Sequence, residues 1–201
     1  MNQLLDPATL QIVMFPHPTL RHKSKPVRRV NAELRSTVRR MFELMYEARG
    51  VGLAANQVDV PLRLFVVNLK SDPADGDELV FINPVISRPK GSDEAEEGCL
   101  SLPGLYGQVK RSKQVRVNAY DLDGREINAE IDGLLARVVQ HETDHLDGVM
   151  FTDRMSTTGQ LAVQAALDDF ETEFQSRRNV GEILPDAEIL ARLLECERQY
   201  C

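Results

Sequence analysis

The segment Gln140-His141-Glu142-Thr143-Asp144-His145 contains the pattern H-E-x-x-H. On a helix, residues four apart lie one above the other on the same face, so His141 and His145 can hold one metal ion between them. Glu142 then projects beside that ion and can exchange protons with a water on it. Leu134, Val138, His141 and His145 follow one another at spacings of three or four. Both imidazoles therefore continue an apolar stripe predicted to face the core. Two imidazoles on a buried face need partners, and a metal supplies one. Asp144 or Asp147 can orient the far nitrogen of a ligand, and the spacing does not choose between them. The plainer reading is a solvated helix with chance histidines, but the chain has four histidines and two of them stand on this stripe.

A catalytic metal usually takes three protein ligands and keeps a position open for water. Cys99 is the best candidate for the third. It stands in Glu97-Gly98-Cys99-Leu100-Ser101-Leu102-Pro103-Gly104, a turn-rich segment after the acidic run at 93–97. A thiolate is a good ligand for a borderline metal, although a single cysteine is also common as a small buried apolar residue. Cys196 and Cys201 lie in the C-terminal tail and read as incidental. Two other readings of the motif stand beside this one. A zinc endopeptidase would take its third ligand downstream, where Glu171 and Glu173 are available. A structural metal site would be closed by a fourth ligand, for which His17 and His22 are the remaining histidines, both expected near the surface.

The elements that must position these residues follow from periodicity and breakers. Residues 10–15 (LQIVMF) predict a short strand. Asn31 is an N-cap with Glu33 in the first turn, and Leu34, Val38, Met41, Phe42 and Met45 recur at helical spacing. Gly50 and Gly52 end that helix. Strands are predicted at 62–69, 79–86, 115–120 and 127–131, the last two flanking the hairpin signal Asp123-Gly124. The polar stretch 71–78 is a surface turn. A second helix runs from Leu134 toward Gly148, a third amphipathic one covers 159–178, and a break at Gly181 and Pro185 precedes a short helix over 187–200. The fold class is α+β: mostly antiparallel sheets around a central helix that carries the motif, with an N-terminal and a C-terminal helix. Residues 1–179 form the predicted catalytic domain and 180–201 a tail.

The bulk numbers bound the setting. A chain of 201 residues holds one domain with a real core. A net charge of -7 argues against binding nucleic acid through the overall field, and no sequence-specific nucleic-acid binding is expected. Three cysteines argue for a reducing compartment rather than a disulfide framework. The N-terminus lacks a basic region before an apolar run, so no signal peptide is read, and no stretch has the roughly 18 to 20 apolar residues of a membrane span.

Three segments in order resemble the peptide deformylase family: Gly50-Val51-Gly52-Leu53-Ala54-Ala55-Asn56-Gln57, then Glu97-Gly98-Cys99-Leu100-Ser101, then the H-E-x-x-H segment. The likeness runs from about residue 12 to about residue 155. It implies removal of the formyl group from the N-terminal methionine of nascent peptides, with release of formate. It implies that Cys99, His141 and His145 hold the metal, natively ferrous iron, with zinc, nickel or cobalt as replacements in isolated protein. Glu142 would shuttle the proton, while the Gln57 amide and the Leu100 backbone N–H would face the formyl oxygen. Gly50, Val51, Gly52 and Leu53 would border the substrate, where the glycines suit close backbone approach. Val138 and Val51 are candidate walls of a methionine pocket, with core packing an equal reading for each. Two positions depart from the family pattern. Tyr106 stands where many members have an arginine that meets the peptide, with Arg111 further on as a possible substitute. Arg137 stands where some have an aliphatic residue, at the pocket rim or facing solvent. The basic run 21–29 reads first as a solvated face; co-translational delivery of the substrate and the charge cluster make a ribosome contact near the exit tunnel the second reading. The last twenty residues, with five acidic and two basic, do not suit it. The absence of a Ser/Arg-rich start favours a bacterial cytoplasmic enzyme over an organelle form.

Overall fold

A computed structural model describes residues 6–201; the first five positions of the N-terminal stretch read above lie outside them. The described strands are β1 (Gly52–Ala54), β2 (Leu64–Val67), β3 (Leu79–Lys90), β4 (Asp93–Cys99), β5 (Leu102–Arg111), β6 (Gln114–Tyr120) and β7 (Glu126–Asp132). The α-helices are α1 (Ala32–Glu47), α2 (Gly133–Leu146), α3 (Thr157–Asn179) and α4 (Asp186–Tyr200). One antiparallel sheet has the order β1-β2-β3-β6-β7, and β4 and β5 form a separate hairpin. The expected α+β class is what the chain adopts.

Strand β2 shows why the core has two sides. Its four residues, Leu-Phe-Val-Val, are all buried, as a strand covered on both faces requires. Alternate residues point to opposite faces. Leu64 and Val66 join a core with Leu34, Val38, Met41 and Met45 of α1, while Phe65 and Val67 join Val138, Val139 and Leu146 of α2. Helix α1 begins as read, with the Asn31 side chain accepting from the Leu34 N–H at 2.8 Å. The β6–β7 turn also forms as read, with Gly124 at φ +77°.

Three expectations change, and one strand, β1, has no counterpart in the sequence reading. Residues 10–15 form no strand. The arm is held by isolated bonds instead: Val13 N–H donates to Gln57 O at 2.8 Å and Phe15 N–H to Ser101 O at 3.0 Å. The acidic run read as a prelude to a turn is strand β4, of which only Glu97 is buried outright. Strand β1 has three residues, too few for a periodicity to register. Cys196 is a packing residue: with Tyr200 it enters the core that α1 builds, while Ile189 and Leu193 of the same helix are also buried. No helix of the described residues is long and apolar enough to cross a membrane.

His17 is buried where the N-terminal arm meets α3, its ring edge-on to Phe174 at 6.1 Å. Burial first, then Arg192 and Arg178 nearby, push its pKa down to about 4. The unfolded chain therefore binds a proton from pH 6.5 downward that the folded chain refuses until about pH 4. Stability should fall with pH across that window, by about 3 kcal/mol at most from this residue. Urea denaturation of wild type and His17→Gln at pH 7 and pH 4.5 checks this: the variant should lose less stability on acidification.

Candidate metal centre

Helix α2 packs against β1, β2 and β7. The predicted stripe starts one turn late: Leu134 is 54% exposed, and Val138 is the first of the four on the core side. His141 and His145 then project from the same face, rings 4.8 Å apart. Their Nε2 atoms are 3.2 Å apart, and Cys99 Sγ, at the end of β4, lies 3.3 Å from Nε2 of His145. Among the described residues, Cys99, His141 and His145 are the group whose donor atoms converge, all within 4.8 Å of one another. One thiol and two imidazole nitrogens aimed at one point suit a borderline divalent cation. Burial disfavours a charged His141, yet its bonds to Cys99 and Glu97 hold its pKa up at about 10; burial and His141 itself hold His145 well below its ordinary value. A cation held among the three donors would displace the proton that His141 otherwise keeps.

The far nitrogen of His141 is oriented by neither Asp144 nor Asp147. Its Nδ1 is 2.9 Å from Glu97 Oε2. Burial alone would raise the Glu97 pKa, but the bonds from His141 and Arg111 outweigh it and keep the carboxyl well below the usual carboxylate range. Arg111 is therefore not available to a substrate: Nε and Nη2 donate to both Glu97 oxygens at 2.8 and 2.9 Å, and Nη1 donates to Asp144 at 2.5 Å. Asp144 also accepts from Arg154, and Asp147 faces outward to Arg63. Arg137 neither lines a rim nor points to solvent, because it donates to Glu97 Oε1 at 2.7 Å. Sequence reading missed Glu97 as the orienting residue. A buried carboxylate at the end of an acidic run gives no periodic signal.

Glu142 is buried beside the three donors, and its Oε2 has no hydrogen-bond partner among the described residues. Burial pushes its pKa up to about 7, against the pull of His141 and Arg111. Gln57 sits in a short 3₁₀ turn after β1. Its Oε1 accepts from Ala54 N–H, which turns Nε2 toward Cys99 Sγ at 3.3 Å and Ser101 Oγ at 3.2 Å. Ser101, fully buried, is a second residue that the sequence did not single out. Close approach explains both glycines: a Cβ at Gly52 would collide with Glu142 Oε1 and lie 2.9 Å from Val138, and one at Gly50 would lie 2.6 Å from the Leu100 side chain. Val51 packs against the buried cluster that includes Val138, whereas the Leu53 side chain joins the α1 core. Tyr106 lies over Gly98, where a Cβ would be 2.7 Å from its ring, and is 60% exposed.

The competing ligands fall elsewhere. Glu171 and Glu173 lie on α3, His17 is packed on Phe174, and His22 pairs with Glu197 at 2.7 Å. A cavity of about 540 Å³ between the N-terminal arm, α3 and α4 is lined by none of the converging residues. Four of its charged wall residues pair with each other, Arg177 with Glu182 and Arg192 with Asp59.

A helix-borne H-E-x-x-H completed by a cysteine, with a buried glutamate beside it, defines a metal-dependent hydrolase centre. The family described as polypeptide deformylase matches residues 9–160. A peptide deformylase of Rhodopirellula baltica is 52% identical over 191 residues, 95% of either chain. A plant peptide deformylase 1B crystal structure superposes with a TM-score of 0.82 at 36% identity, covering 84% of this chain and 92% of that one. A peptide deformylase from Legionella pneumophila gives 0.75 at 40% identity, covering 83% and 97%. The chain belongs to the polypeptide deformylase family, metal-dependent hydrolases that remove N-terminal formyl groups from nascent polypeptides.

The ligand assignment has a direct check. Cys99→Ala should lose bound metal through gel filtration, while Glu171→Ala and Glu173→Ala should keep one ion per chain by atomic emission. Metal loss in either glutamate variant would restore the endopeptidase reading.

Proposed function

We propose that Cys99, His141 and His145 hold one divalent ion, ferrous iron in the cell, and that Glu142 carries the proton in deformylation. The observation that carries this is the convergence of three donors beside a buried carboxylate oxygen without a partner. The bound ion supplies Lewis-acid activation of the attacking water and the formyl group. Everything else falls to the chain. Glu142 Oε2 takes a proton from the water, and its raised pKa suits both acceptance and return near neutral pH. Gln57 Nε2 and the Leu100 N–H donate to the formyl oxygen as negative charge grows there. Glu142 then delivers the proton to the departing amine, leaving formate and a free N-terminus.

The peptide runs along Gly50, Val51, Gly52 and Leu53, and the two glycines of that segment let Leu100 and Glu142 pack close against its backbone. Val51 and Val138 wall a slot for the methionine side chain, which a flexible thioether fills well. Tyr106 offers an aromatic face to the residues that follow. Residues 1–179 are the catalytic unit, with 180–201 as a C-terminal addition.

Glu142→Gln should retain metal and lose about 10²–10⁴-fold in kcat on a formyl-Met peptide. Gln57→Ala should lose about 10²–10³-fold. Formate release assayed anaerobically, with metal measured on the same samples, checks both; near wild-type turnover by metal-loaded Glu142→Gln would remove Glu142 from the proton path.

The working site we propose is a bacterial-type cytoplasm, in line with the Rhodopirellula baltica relative. Lys23, Lys25, Arg28 and Arg29 are all exposed in one short stretch, which suits contact with an anionic ribosomal surface. Co-sedimentation with ribosomes at low salt, lost at moderate salt, is the expected outcome. Absence of co-sedimentation at low salt would exclude the contact.

A further inference from the structure

The donors of the centre come from two bodies. The histidines stand on α2, which packs on the large sheet, while Cys99 ends a strand of the separate β4–β5 hairpin. Helix α2 has most of its close backbone neighbours in β1, β2, β6, β7 and the 3₁₀ turn after β1 rather than in the hairpin. Side chains that cross from one body to the other therefore bear directly on the spacing between the thiol and the imidazoles.

Two arginines cross in opposite directions. Arg111, on β5, grips α2 through Asp144, whose neighbour in the chain is His145, and grips β4 through Glu97. Arg137, on α2, reaches back. Its Nη1 donates to Glu97 Oε1 at 2.7 Å and to Val109 O on β5 at 3.0 Å, and its Nη2 donates to Asp93 O on β4 at 3.1 Å. One guanidinium thus holds both strands of the hairpin against the helix, one turn from His141, with its side chain only 13% exposed. The carboxylate it holds is the one that orients His141 through Nδ1.

We infer that Arg137 is a positioning residue of the metal centre: it locks the β4–β5 hairpin to α2 and fixes Glu97, and so sets the distance and angle between Cys99 and the two histidines. This rests on the metal reading of Cys99, His141 and His145. A planar guanidinium is required because its donors leave in fixed, divergent directions, and a lysine ammonium cannot span Glu97, Val109 O and Asp93 O together. Arg137 touches no reacting atom, so its loss should act on the ion and its geometry rather than on peptide binding.

The test uses the Co2+-loaded protein and the variants Arg137→Leu and Arg137→Lys. Three quantities are read: the rate of Co2+ loss to excess EDTA, the visible absorption bands of bound Co2+, and kcat and KM on a formyl-Met peptide. The leucine variant should lose Co2+ about 10- to 100-fold faster, as substitutions of residues that support a ligand do. Its bands should shift, and kcat should fall with KM little changed. The lysine variant should lie between leucine and wild type, and it keeps the charge and the stem, so it reports even where leucine prevents folding. Wild-type Co2+ loss rates and bands in both variants would overturn the proposal, as would a rise in KM alone, which would make Arg137 a substrate contact. Wild-type protein that takes up no Co2+ would overturn the metal reading itself, a failure separable from this one.

Discussion

A carboxylate withdrawn from water must be matched by cations and donors, or it does not stay ionised. Glu97 is matched from three sides: Arg111 from its own hairpin, and Arg137 and His141 from α2. The rest of the centre follows from that arrangement. The carboxylate fixes the Nδ1 side of His141, which leaves Nε2 directed at the thiol of Cys99. The same carboxylate joins two bodies that share little backbone contact. Removing one cation from such a group would leave buried charge without a partner, so the network behaves as a unit rather than as separate ion pairs.

Around this hub the fold keeps small residues where backbones approach. Strand β1 passes so near Glu142 that only glycine is accommodated at position 52. The 3₁₀ turn after it aims Gln57 by satisfying its carbonyl oxygen on Ala54. The N-terminal arm then backs Gln57 and Ser101 through two main-chain bonds, so the residues behind the thiol are fixed by segments far apart in sequence. Glu142, like Nδ1 of His145, is not matched in this way. Its second oxygen is buried with no partner among the described residues, an arrangement that stability alone would not favour and that a proton carrier needs.

Much of this was legible in the residues. The histidine pair and its glutamate could be read from helical spacing, because i and i+4 geometry is local. Helix α1 and its cap, strand β2 and the β6–β7 hairpin were legible for the same reason. The partners of the charged residues were not. Glu97, Arg111, Arg137 and Asp144 meet across separations of 14 to 40 residues or more, and each looks like a solvated surface group until the hairpin folds over the helix. Strand β4 was hidden by its acidic composition, since its buried charge is balanced by residues elsewhere. The arm at 10–15 has the composition of a strand, but it meets single acceptors rather than a ladder.

The central claim is that one thiol and two imidazoles hold a single ion. X-ray absorption at the metal edge of the Fe2+- or Co2+-loaded protein, kept anaerobic, measures that directly. The account predicts one sulfur near 2.3 Å and two nitrogens near 2.0–2.1 Å, by analogy with the distances typical of zinc, with the sulfur absent in Cys99→Ser. A first shell of nitrogen and oxygen only in the wild-type protein would contradict it.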